Sequence, residues 1–277
     1  MISVDNNSKF GFYKPNTLVS IIILITRSIG STWLSKRIIF LLRRIAVIFS
    51  KKCIDTTLFN SNLRMYTKGN VSEKRALFSP QIFEEEERNF IAERAEDNSI
   101  FIDIGANIGL YSFSIANAYK KYNNTKIYSI EPHPGLFKRL SFNVSLNKDI
   151  PIYPREIALM DKSGQFNLST PEENLGQGVI SKKGKNLVTA KNLLGFINDE
   201  GIKKISAMKI DVEGNEEKII IPFLKDANEE QLPTIIVIEN NQELWKNDLI
   251  KLLEEKGYII QKKTRMNYIL KLNNSNN

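Results

Sequence analysis

Two strongly apolar runs open the chain, LVSIIILIT (18–26) and IIFLLRRIAVIF (38–49), broken or bordered by Arg27, Lys36, Arg37, Arg43 and Arg44. No uncharged run reaches the ~18–20 residues that a spanning helix needs. A secretory signal does not fit either, because its apolar part would meet Arg27 directly and no small-x-small cleavage site follows. Two readings stay open for residues 18–52. They are helices packing on the main domain with their charges solvated, or a basic amphipathic surface lying on an anionic membrane. Further on, IDTTLFNSNLRMY (54–66) predicts a strand. Ser79-Pro80 predicts an N-cap with proline in the first helical position, and the acidic run 84–87 suits the first turns of a helix reaching about Ala95.

From residue 99 the pattern alternates. SIFIDIG (99–105) predicts a buried strand, and Ile108, Tyr111, Ile115 and Ala118 follow at helical spacing. KIYSIEP (126–132) is a second strand, with a helix through Leu136, Leu140 and Val144 to about Asn147. IYPREIAL (152–159) is a third. Residues 160–190 carry turn residues and short β-like pieces read as hairpins, and AKNLLGFINDEG reads as a helix. ISAMKIDVEG (205–214) is a fourth strand, followed by a helix that Pro222 should bend or end. TIIVIEN (234–240) is a fifth, ELWKNDLIKLLEEKGY an amphipathic helix stopped by Gly257, and YIIQK with NYILKL an antiparallel hairpin. Strand and helix alternating from residue 99 to 257 imply a mostly parallel sheet with helices on both faces. Ligands of such sheets bind outside the carboxyl ends of the strands, where the strand order reverses. The expected organisation is an N-terminal extension (1–53), an α/β domain (54–272) and a disordered tail (273–277).

Charge sharpens this division. The chain has 277 residues and a net charge of +8; residues 1–52 hold nine Lys or Arg against the single acid Asp5, so the remaining thirty basic and thirty acidic residues cancel. A neutral working domain lacks the basic stripe of a nucleic-acid enzyme, and no Asn/Asp-Pro-Pro-Tyr/Phe stretch is present. The lone cysteine, Cys53, excludes an internal disulfide and fits a reducing, cytoplasmic setting, with the extension as the only candidate for peripheral contact at the inner face of a membrane.

The candidate chemistry starts at Asp103-Ile104-Gly105-Ala106-Asn107-Ile108-Gly109, a D-x-G-x-x-x-G turn rather than G-x-G-x-x-G. A carboxylate beside the turn would repel a pyrophosphate and attract an ammonium. S-adenosylmethionine offers an amino-acid end, a ribose and an adenine, and no phosphate. Glycine lets the backbone approach such a ligand closely. Glu131, ending the second strand 28 residues on, can accept both ribose hydroxyls.

FIDIGANIGLYSFSIA, YSIEPHPGLFKRLSFNVSLN, EIALMDKSG, KIDVEGNE and VIEN form one ordered series. Over about residues 54–262 it resembles the FkbM-like family of S-adenosylmethionine-dependent methyltransferases. The resemblance implies the class I methyltransferase (Rossmann-like) fold, a seven-stranded sheet whose last strand is antiparallel. It also implies methyl transfer to hydroxyl oxygens, often of sugars. It assigns the cofactor to Asp103, Gly105, Asn107 and Gly109, with Glu131 on the ribose and Ala158 and Leu159 near the adenine. Asp211-Val212-Glu213-Gly214 would face the transferred methyl. The chain departs from many members at Asn215 and Leu194.

A hydroxyl acceptor must lose its proton, which calls for a general base or a metal. Asp211 and Glu213, two apart at a strand end, are the catalytic candidates. Asp211 with Glu239, which ends the fifth strand, is the candidate Mg²⁺ site. His133, the one histidine, sits in a Pro-His-Pro turn and is read as a turn residue rather than a base. The expected activity is O-methylation of a saccharide or glycoconjugate. The alternatives are another small-molecule or lipid-linked acceptor, or a non-catalytic S-adenosylmethionine-binding scaffold.

Overall fold

The computed structural model describes residues 4–30, 32–171, 174–180, 184 and 186–273. The expectation for the C-terminal tail falls mostly on residues outside this set. Helices α1 (Thr17–Ser28) and α2 (Trp33–Phe49) come first, then strands β1 (Cys53–Leu58) and β2 (Ser61–Tyr66). The single strand expected over 54–66 is an antiparallel hairpin: Phe59 and Asn60 both take positive φ (50° and 54°), the geometry of a two-residue turn. Helix α3 (Val71–Phe78), which periodicity did not reveal, is capped by Asn70 and buries Ala76, Leu77 and Phe78.

Arg64 of β2 is fully buried. Its guanidinium donates to Asp55 Oδ1 at 2.7 Å and Oδ2 at 3.0 Å, and to the carbonyls of Asp5 and Lys9 at 3.0 Å. Asp55 Oδ2 also accepts from the backbone of Gly11 and Tyr13. The pair thus fastens the N-terminal segment to the hairpin. Removing one partner leaves a buried charge uncompensated, so Arg64→Met is expected to cost about 3–5 kcal/mol. Urea unfolding measures the loss, and a change within the error of the wild-type curve would contradict it.

The cap expected at Ser79 is not formed. Ser79 Oγ donates back to Arg75 O, Pro80–Ile82 make a short 3₁₀ turn, and α4 (Glu85–Ala92) starts only after Glu84, whose φ of 44° turns the chain. Strand β3 (Ile100–Ile104) and helix α5 (Leu110–Tyr119) follow, then β4 (Lys126–Ile130), α6 (Pro134–Ser145) and β5 (Ile152–Arg155). The third expected strand breaks here. Ala158–Leu159 (β6) leaves the main sheet and pairs in a small second sheet with β7 (Gly164–Ser169), β8 (Val179–Ile180) and β9 (Asn186–Lys191), in the order β6-β9-β7-β8. After α7 (Leu193–Asp199) come β10 (Ala207–Ile210) and α8 (Glu216–Asp226). Pro222 lies inside α8 without ending it, because burial of Ile219, Ile220, Phe223 and Leu224 holds both flanks. Strand β11 (Ile235–Glu239), helix α9 (Leu249–Glu255) and the hairpin β12 (Tyr258–Lys263) and β13 (Asn267–Leu272) close the fold. Helix α9 is shorter than its periodicity suggests, since the backbone of Lys246 and Asn247 donates to Glu217 of α8 instead of continuing a helix.

The main sheet has seven strands in the order β12-β13-β11-β10-β3-β4-β5. All neighbours are parallel except those of β13, which runs against both. This is the sheet the resemblance predicts. Strand order reverses between β3 and β10, so a crevice opens at their carboxyl ends.

Candidate active site

The crevice is a cleft partly open to solvent. Its floor is made where three parallel strands stop, at Ile104-Gly105, Ile130-Glu131 and Ile210-Asp211. Eight of the ten residues singled out from the sequence line it: Asp103, Gly105, Asn107, Glu131, Ala158, Leu159, Asp211 and Glu213.

Gly109 is the first correction. It does not line the cleft. With φ at 85° it starts α5, and a Cβ there would lie 2.6 Å from Leu140, so it serves the packing of α5 on α6. Glu239 is the second. It stays out of the lining; its carboxyl, pushed up to about 8 by burial and then by the Asp211 charge, shares a hydrogen bond with Asp211, and its Oε2 accepts from Asn241. The Asp211 carboxylate is taken by the Lys209 ammonium, 2.8 Å away. Among the described residues no group of three or more His, Cys, Asp or Glu is arranged to hold a metal ion. The Mg²⁺ expectation at Asp211 and Glu239 is therefore not supported.

The turn after β3 is tied down by backbone bonds. Gly105 and Ala106 both donate to Ile130 O, at 3.0 and 2.9 Å. Asn107, at a φ of 56°, donates its N–H to Glu131 Oε2 at 2.8 Å, and the His133 N–H donates to Oε1 at 2.8 Å. Each oxygen of Glu131 keeps a further lone pair for a ligand. Burial pushes the Glu131 carboxyl up to about 8, against the pull of those two N–H donors. His133 caps α6: its Nδ1 accepts from Gly135 and Leu136, and burial lowers its pKa.

One cation organises the acids. Burial works against the Lys209 ammonium, but the carboxylates of Asp211, Glu84 and Asp103 outweigh it and raise its pKa. Its Nζ also sits 5.2 Å from the centre of the Tyr111 ring. Burial likewise opposes the Asp211 anion, and Lys209 holds its carboxyl below the ordinary value. Glu213 has no such partner among the described residues. Burial, then the charges of Asp211 and Glu216, push its carboxyl up to about 7. The residue lines the cleft and is held at a φ of 54°, a strained conformation for a non-glycine residue.

Three buried atoms of residues that line the cleft have no hydrogen-bond partner among the described residues: Asp103 Oδ1, Glu84 Oε2 and the Tyr111 hydroxyl. Buried polar atoms are nearly always paired, so these three are poised for a ligand. Asp103 Oδ2 accepts from Ser112 at 2.6 Å, which leaves Oδ1 free for an ammonium. The site therefore fits S-adenosylmethionine at its amino-acid end (Asp103 and the Gly105 turn) and at its ribose (Glu131). Neither Glu84 nor Tyr111 stood out in the sequence. Glu84 is lost in a run of four acids, and Tyr111 falls on the apolar face of α5. The outer wall comes from the second sheet and the loop between β7 and β8, through Met160, Leu168, Asn174, Leu175 and Gly176.

Methyltransferase sdnD of Sordaria araneosa is 28% identical, covering 59% of this chain and 74% of its own. Hexuronic acid methyltransferase AglP of Haloferax volcanii is 25% identical, covering 60% of this chain and 65% of its own, just under two thirds of that protein. A solved structure of methyltransferase FkbM from Methylobacillus flagellatus is 16% identical over 72% of this chain and 54% of that one, with a TM-score of 0.45. Residues 103–260 match the methyltransferase FkbM domain. That is more than half of the chain, from the Asp103 turn to the last hairpin, and the protein belongs to this family of S-adenosylmethionine-dependent methyltransferases.

Proposed function

We propose that the protein transfers a methyl group to a hydroxyl oxygen of a saccharide or glycoconjugate. The observation that carries this reading is the set of unpaired, buried polar atoms on residues of the cleft that Glu213 also lines. Glu84 Oε2 accepts and the Tyr111 hydroxyl donates, because burial raises the Tyr111 pKa well above its ordinary value and keeps the phenol protonated. With Ser72, Asn174 and Asn215 also in the lining, the cleft has spare hydrogen bonds for a polyhydroxylated acceptor. The likeness to a hexuronic acid methyltransferase supports the same acceptor class.

When bound, S-adenosylmethionine supplies a methyl group on a good leaving group. The protein's task is then to hold two atoms in line and to take one proton. Asp103 and the Gly105 turn hold the amino-acid end, Glu131 the ribose, and Ala158 and Leu159 flank the adenine. Asp211, kept anionic by Lys209, is a fixed negative charge beside the reacting centre. Glu213 accepts the hydroxyl proton, since its carboxyl titrates near neutrality.

Calorimetric titration with S-adenosylhomocysteine tests the cofactor half. Saturable binding is expected, weakened roughly 10- to 100-fold in Glu131→Ala, which loses both hydrogen bonds to the ribose. No binding to a folded wild-type protein would leave a methyltransferase fold without its cofactor. Binding with no turnover on any hexuronic or neutral glycan acceptor would remove the saccharide reading.

A further inference from the structure

The two N-terminal helices are apolar on opposite sides but packed on only one. Helix α1 buries Val19, Ile22 and Ile23 against the hydrophobic core. Its other side presents Leu18, Ile21, Leu24 and Ile25, with Leu24 68% exposed. Asn16, the cap of α1, donates to Phe49 O at the end of α2, so the helices form an antiparallel pair. Helix α2 buries Ile39 and Ala46 and presents Trp33, Phe40, Leu41 and Ile48, with Trp33 70% and Ile48 76% exposed. Apolar side chains on a helix face are ordinarily buried, and these outer ones have no cover among the described residues.

The charges on that face indicate what covers it. Arg37 and Arg44 are exposed on the same side of α2 as Trp33 and Phe40. The Arg37 guanidinium lies 4.8 Å from the Trp33 ring centre, and those of Arg43 and Arg44 lie 5.4 and 5.9 Å from Phe40. Lys36, Lys51 and Lys52 are exposed nearby in the chain, and none of these six basic residues is ion-paired among the described residues. The one acid of the segment does not offset them. Asp5 accepts from the Tyr13 hydroxyl at 2.6 Å and from Ser8, and these bonds lower its pKa while directing it back onto the protein. A second copy would bring the same cations against these and repel. A surface that is apolar within and anionic at its boundary complements both features. No helix among the described residues is long and apolar enough to cross a membrane, and α1, at twelve residues, reaches only about 18 Å.

We propose that the outer face of α1 and α2 docks the protein on an anionic lipid bilayer, with Trp33, Leu24 and Ile48 in the interfacial layer and Arg37 and Arg44 at the headgroups. This inference is independent of the acceptor. Flotation with phosphatidylcholine vesicles, with and without phosphatidylglycerol, at low and high salt, tests it on the full chain. Binding is expected to the anionic vesicles and to weaken with salt. The double variant Arg37→Glu/Arg44→Glu should bind roughly thirtyfold more weakly at low salt. Trp33→Ser/Ile48→Ser should lose the binding that survives high salt. Both change exposed side chains, and unaltered S-adenosylhomocysteine binding would show that they fold. Wild-type protein that ignores anionic vesicles at low salt, or binds neutral ones equally well, overturns the proposal. So does a dimer in light scattering that Trp33→Ser dissociates, because a second copy would then cover the face.

Discussion

Glu213→Gln is expected to lower kcat roughly 10²- to 10⁴-fold, the contribution of a positioned general base, with S-adenosylhomocysteine binding nearly unchanged. The pH profile carries the sharper test. Proton acceptance needs the anion, so wild-type kcat/KM should rise as pH passes about 7 and level off above it. The Gln variant should lose that limb. The direction follows from the surroundings: burial and the neighbouring charges of Asp211 and Glu216 all disfavour the Glu213 anion, so its carboxyl titrates near neutrality. Asp211 is unsuited to the role, because Lys209 holds it ionised and weakly basic. A variant that kept the wild-type rate and pH profile would move the base elsewhere, with Glu84 the next acid in the cleft.

Gly105→Ala is expected to destabilise the protein by about 3 kcal/mol or more and to abolish cofactor binding. Gly105 has a φ of 80°, and a Cβ there would stand 1.9 Å from Asp211 O and 3.0 Å from Asp211 C. Those are backbone atoms at the end of the neighbouring strand, so no side-chain rotation relieves the clash. The carboxyl ends of β3 and β10 would have to separate, taking Asp103 and Asp211 with them. Urea unfolding and calorimetry on the same sample measure both effects. Gly30→Ala is the control, since nothing lies within 4 Å of a Cβ there. A Gly105→Ala protein of wild-type stability that bound normally would show that the turn tolerates a side chain.

Much of the site was readable because its signals are local. Asp103, Gly105 and Asn107 lie in one turn, Glu131 ends the next strand, and Asp211 and Glu213 follow the strand that pairs with β3 on its other side. Strand ends on the same edge of a parallel sheet converge whatever loops connect them. Gly109 looked equivalent to Gly105 for the same local reason. Yet one glycine meets a backbone carbonyl below the cleft and the other meets Leu140 of a helix. Spacing does not distinguish a close approach to a ligand from a close approach to a neighbour.

The alternation of strand and helix, the antiparallel last strand and the charge division between extension and body were thus determined by the sequence itself, because periodicity and charge are properties of short stretches. The tertiary structure alone decided the rest. It broke the third expected strand at Arg155, because Ala158 and Leu159 find their partner in β9 rather than β4. It paired Asp211 with Lys209, brought Glu84 from before β3 to the cleft, and packed one side of α1 while leaving the other exposed. Each of these outcomes turns on which residues, distant in the chain, share one small volume. Burial and neighbouring charge, which set their chemistry, exist only once that volume has formed.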